Sequence, residues 1–284
     1  MKIRRYKRLR GKVAFLAVVI GTLCFSETGK GDVAIEPPAR ATRSFAPRKE
    51  VNYREPPRQY IGRKLDKWSF QLERELIEQR PDEADQVVKR LEAKLEQTLQ
   101  LFPANARERL RTLSIFVMLG SQSANGGQDN GAEYFRRIDP DFRAHLDPSW
   151  RNVLVIYSAS NYLWQDEHWA TQLLVHELSH AWHLQQWPEK QTDIFSAWQQ
   201  AMAAGLYHGV KDVNGASLDK SYAAFNQLEY FAELSCAYFW RGEYEPFDRE
   251  ALRLYDPAGF TMIEKMWGVR MPPPPPSASA GLNE

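Results

Sequence analysis

Apolar positions change period along the chain. Over residues 64–101 they recur at three- and four-residue intervals: Trp68, Leu72, Leu76 and Ile77, then Val87, Val88, Leu91, Leu95 and Leu99 after Pro81. That spacing predicts amphipathic helix. Residues 112–119 (TLSIFVML) and 152–158 (NVLVIYS) are short, nearly continuous apolar runs, and each predicts a buried strand. Between them, Gly120 to Gly131 is rich in Gly, Asn and Ser and reads as a flexible loop whose glycines fit neither phosphate-loop pattern. Helices are expected over about 166–187, 191–208 and 217–241. No internal repeat is present.

The ends differ from this body. Residues 1–31 begin with a basic stretch, Met1 to Lys12, followed by the apolar run Val13 to Phe25. That run fits the core of an export signal and is short for a membrane span. The segment predicts a secreted or periplasmic protein; an uncleaved N-terminal membrane anchor is the alternative. Gly21-Thr22-Leu23-Cys24 departs from a lipoprotein box at Leu23. Residues 32–60 are Pro/Arg-rich and read as a linker. Residues 61–110 form a helical segment and 111–270 the main domain. Residues 271–284, with their run of prolines, form a disordered tail.

Charge narrows the partners. The chain of 284 residues carries +1 overall. Eight of its basic residues lie within 1–31, so residues 32–284 hold 29 Lys/Arg against 35 Asp/Glu. A body of that sign excludes nucleic acid as the expected partner. Beyond Cys24 only Cys236 remains, so no internal disulfide is available, and Cys236 among Leu234, Ala237 and Phe239 reads as a small buried hydrophobe.

The candidate chemistry sits in the helix predicted around Trp169–Trp187. Leu173, Leu174, Leu178 and Ala181 recur at helical spacing, and Pro188 marks the end. His176 and His180 are four apart, hence on one side and about one turn, 5.4 Å, from each other. Neutral imidazoles so placed suit zinc. Glu177 points about 100° away from His176, near enough to reach a metal-bound water without ligating the ion, which is where a general base belongs. His183 shares the face but lies two turns from His176, and reads as a packing or groove residue.

A second segment, Tyr222 to Glu233, reads as a helix with Leu228, Phe231 and Ala232 toward the core. Glu229 and Glu233 share one face. Two carboxylates beside an aromatic core need a metal, a cation or donors, and one zinc ligand plus one acceptor for a histidine N–H satisfies both. A solvated acidic face is the alternative.

HExxH followed some fifty residues later by Asn226-x-x-Glu229-Tyr230-Phe231-Ala232-Glu233 resembles the catalytic domain of anthrax lethal factor-like peptidases, zinc metallopeptidases of the gluzincin type. The resemblance covers roughly residues 110–245 and is local to the two helices and the strand before them. It implies an α+β, zincin-like domain, mostly helical with a small mixed sheet and an active-site helix. It implies His176, His180 and Glu229 as zinc ligands, Glu233 behind them, and Glu177 and Tyr222 as catalytic groups. The reaction implied is hydrolysis of a peptide or protein substrate, with Val153 to Tyr157 as an edge strand able to pair with it. A non-proteolytic zinc-binding exported protein is the alternative. Oligomeric state is left open.

Overall fold

The computed structural model describes residues 50–269, apart from 66 and 138–142, and a two-residue pairing of β1 (Ala17–Val18) with β2 (Arg43–Ser44). Apart from that pairing, the segments read as an export signal and as the Pro-rich tail, and most of the one read as a linker, lie outside the described residues. The described chain is α+β, with a small mixed sheet beside a larger set of helices. No described helix is long and apolar enough to cross a membrane.

The sheet has five strands: β3 (Tyr60–Leu65), β4 (Trp68–Glu73), β5 (Ser114–Val117), β6 (Ala132–Phe135) and β7 (Val153–Ile156). Their spatial order is β3-β4-β5-β7-β6. β4, β5 and β7 run parallel, and β3 and β6 pair antiparallel at the two edges. Each strand of the centre feeds two layers. Ile115, Val117, Leu154 and Ile156 face the helices, whereas Phe116, Val153, Val155 and Tyr157 face a smaller cluster around Trp150.

Three expectations are corrected here. Residues 64–65 and 68–73 are strand, not helix. Trp68 and Leu72 fit a helical spacing, but Phe70 between them is also buried, so the true period is two. Since β4 pairs with β5, the boundary set at 110/111 falls inside one sheet. Residues 50–60 are not linker. Val51 and Tyr53 are buried in the smaller cluster, with the Tyr53 and Trp150 rings 4.9 Å apart. Arg58 is buried too. It donates to Glu73 Oε1 and Ser123 Oγ, each at 2.8 Å, and to the carbonyls of Asn125 and Gly126 at 2.9 and 2.8 Å. The glycine-rich loop is thereby pinned to the body.

The helices are α1 (Arg74–Gln79), α2 (Pro81–Leu101), α3 (Ala104–Leu110), α4 (Ala159–Trp164), α5 (Glu167–Gln186), α6 (Thr192–Ala203), α7 (Gln227–Phe239), α8 (Arg249–Tyr255) and α9 (Pro257–Trp267). α5 starts on Asp166, whose side chain accepts from Trp169 N. It is buried almost throughout, with Leu173, Leu174, Leu178 and Ala181 in the core. The helix expected over 191–208 stops at Ala203, because Gly205 and Tyr207 adopt left-handed φ of 71° and 66°. The helix expected over 217–241 is interrupted as well. β8 (His208–Lys211) and β9 (Ser217–Lys220) form a hairpin around Asn214-Gly215, where Gly215 takes φ 81° and Asp212 Oδ1 accepts from Asn214 N and Ala216 N.

Candidate metal centre

α5 turns His176 and His180 to one point, with their Nε2 atoms 3.0 Å apart. Glu229 meets them from α7, its Oε2 lying 3.1 Å from His176 Nε2 and 3.2 Å from His180 Nε2. All three side chains lie well inside the surface. Among the described residues this is the one group of three His, Cys, Asp or Glu side chains close enough to share an ion.

Local sequence sets this geometry. Residues 222–233 are not one helix: Tyr222–Ala224 is a 3-10 turn, and α7 begins at Gln227 with Asn226 as its cap. Asn226 Oδ1 accepts from Leu228 N at 2.8 Å and Glu229 N at 3.0 Å. Glu229 is thus held in the first turn, where the positive end of the helix favours a carboxylate. Asn226 stood in the sequence only as part of the resemblance; an Asn three residues before a Glu is a cap signal in its own right.

Glu233 sits one turn further along α7, buried, with Oε1 2.8 Å from His176 Nδ1. The carboxylate accepts the Nδ1–H and fixes that tautomer, so the Nε2 lone pair faces Glu229 and His180. Burial alone would raise the Glu229 carboxyl. The two imidazoles outweigh it and hold the group well below the usual carboxylate range.

Three lone-pair-bearing atoms at 3.0–3.2 Å from one another form a triangle. An ion with tetrahedral bonds of about 2.0–2.1 Å separates its ligands by about 3.3 Å, so the triangle fits a metal of that size. Two imidazole nitrogens and one carboxylate oxygen suit a first-row transition metal better than magnesium or calcium, which take oxygen donors.

Glu177 stands beside this triangle without joining it. It is buried, and Tyr134 N donates to its Oε2 at 2.9 Å. Burial pushes its carboxyl up despite the neighbouring imidazoles. Tyr134 lies in β6, so the strand that reaches the site is β6. This corrects the expectation for Val153 to Tyr157: β7 is interior, hydrogen-bonded by β5 on one side and β6 on the other. The short AEYF segment of β6 carries no apolar run long enough to stand out from the glycine-rich loop before it.

Tyr222 is buried with its ring tilted against that of His176, centroids 6.0 Å apart. His183 stays out of the triangle and packs edge-on against Phe231 at 5.4 Å, its Nε2 3.3 Å from Pro188 O. Burial, helped by the charge of His180, lowers its pKa to about 4. Cys236 is buried and in no disulfide, with its Sγ 3.8 Å from Gln172 O. No family model, curated protein or solved structure matches this chain.

Proposed function

We propose that the chain is an exported zinc-dependent endopeptidase of the gluzincin type. The observation that carries the reading is the meeting of His176 Nε2, His180 Nε2 and Glu229 Oε2 at 3.0–3.2 Å beside a buried, uncoordinated Glu177. His176, His180 and Glu229 would hold the zinc, and Glu233 keeps His176 in the tautomer that offers Nε2. The chemistry a bound zinc supplies is Lewis acidity toward water and toward the scissile carbonyl.

The remaining work falls to the chain's own groups. Glu177 takes the proton of the attacking water and hands it to the leaving amine. A carboxyl raised by burial accepts that proton more readily than an ordinary one. The Tyr134 N–H grips Oε2 and fixes where the proton is received. Tyr222, packed against His176, is assigned to stabilise the developing oxyanion. An extended substrate adds to the edge of β6, which already faces Glu177.

Hydrolysis of unstructured peptides by the full chain tests this. The zinc-loaded protein is expected to cut, with activity removed by a chelator, restored by zinc and strongly reduced in Glu177→Gln. Tight zinc binding with no hydrolysis of any peptide would instead leave a zinc-binding protein.

A further inference from the structure

Arginine side chains in the described residues mostly meet carboxylates. Arg58, Arg63, Arg80, Arg90, Arg111 and Arg143 each make an ion pair. Four exposed arginines do not: Arg109, Arg136, Arg137 and Arg151 make no ion pair among the described residues. Arg136, Arg137 and Arg151 flank the ends of β6 and β7, and Arg109 reaches the end of α5. Their grouping stands out because residues 32–284 are net acidic.

One residue ties the group to the site. Asn152 takes a left-handed φ of 53°, and its N donates to Arg136 O at 3.1 Å, which joins Arg136 and Arg151 across the strand ends. Asn152 Oδ1 accepts from Tyr134 OH at 2.9 Å and from Gln185 Nε2 at 2.7 Å. Arg109 Nη2 donates to Gln185 O at 3.2 Å. Tyr134 is also the residue whose N–H holds Glu177. Arg136 follows it by two positions, roughly 7 Å along an extended strand, within the span of a peptide lying on β6. Burial pushes the Tyr134 phenol up to about 12, and the charges of Arg136 and Arg109 oppose that rise, as expected of guanidiniums close to its hydroxyl.

We propose that Arg109 and Arg136 form a cationic subsite at the end of β6 that selects peptide substrates carrying Asp or Glu close to the scissile bond. Arg137 and Arg151 extend the same positive field. This rests on the peptidase reading, and names its substrate class. Guanidiniums with no carboxylate partner among the described residues keep donors for one, and charge-assisted bonds to it give orientation as well as attraction. A subsite at an exposed rim acts through encounter and binding, so its effect weakens as salt rises.

Binding and cutting are measured separately. Three fluorescein-labelled dodecapeptide pools, random at alternate positions and fixed as Glu, Gln or Lys at the others, are titrated into the full zinc-loaded chain carrying Glu177→Gln. The Glu pool is expected to bind about tenfold tighter than the Gln pool at low salt, and the Lys pool weakest. Adding Arg109→Glu and Arg136→Glu together removes or reverses that order. Arg241→Glu, a charge reversal at the far end of α7, leaves it intact. Equal binding of the Glu and Gln pools, absence of binding by any pool, or an order that survives the double substitution overturns the subsite. The same pools are then incubated with the Glu177 form. A Glu pool that is bound selectively yet never cut leaves the subsite standing and removes the peptidase reading.

Discussion

Glu233 Oε1 lies 2.8 Å from His176 Nδ1, so a carboxylate on α7 decides which nitrogen of a histidine on α5 carries the proton. The partner helices therefore need to be packed before the metal triangle exists. Replacing Glu233 by Ala frees the ring to turn and to change tautomer. We expect metal affinity to fall about 10- to 100-fold, read by competition with a calibrated chelator. Unchanged affinity would remove Glu233 from this role.

Glu177 is not one of the three side chains that converge to share an ion, and a backbone N–H from β6 donates to its Oε2. Glu177→Gln keeps the shape and that acceptor while removing the base. Hydrolysis should fall by about 10²–10⁴-fold with metal content unaltered. If the variant turns over peptide at the normal rate, proton transfer does not pass through this carboxyl.

His183 gives a pH dependence of stability. Its folded pKa of about 4 lies below the ordinary 6.5, so the unfolded chain binds the proton more readily. The contribution is present above 6.5, declines as pH falls, and is lost below the folded value. It amounts to about 3 kcal/mol in total, of which about 2 is gone by pH 5. Urea unfolding of chelator-treated protein checks this near neutrality and near pH 5. His183→Gln should lose correspondingly less between the two; an equal loss would locate the sensitivity elsewhere.

Arg58 and Glu73 form a buried pair, and Glu73 Oε2 also accepts from Leu119 N at 2.8 Å. Burial raises the Glu73 carboxyl while Arg58 and the Leu119 N–H oppose it. Arg58→Ala strands that carboxylate and unpins the loop before β6. The expected cost is about 3–5 kcal/mol in urea unfolding. A cost near that of an exposed arginine would mean that water already reaches the pair.

The metal helix was the most legible part of the sequence, because helical period, the terminating Pro188 and ligand spacing all agree over Glu167–Gln186. The strands before it were less so. Ile115 and Val117 face one layer and Phe116 the other, so β5 shows no alternation, only a run. β4 was misread because Trp68 and Leu72 satisfy both periods and the deciding residue, Phe70, has to be weighed against them. The role of β6 was hidden for a different reason: its contribution to the site is a backbone N–H, which any residue type supplies. Arg58 was hidden because a buried arginine is unexpected until its carboxylate, fifteen residues away, is placed beside it.

The central claim is that His176, His180 and Glu229 bind zinc as one site. Its most direct measurement is zinc per chain by elemental mass spectrometry, on the full chain and on Glu229→Ala purified alongside. The account predicts stoichiometric zinc in the first and weak or absent zinc in the second, with both chains folded. A folded parent chain that holds no zinc after supplementation, or a variant that retains it fully, would contradict the account.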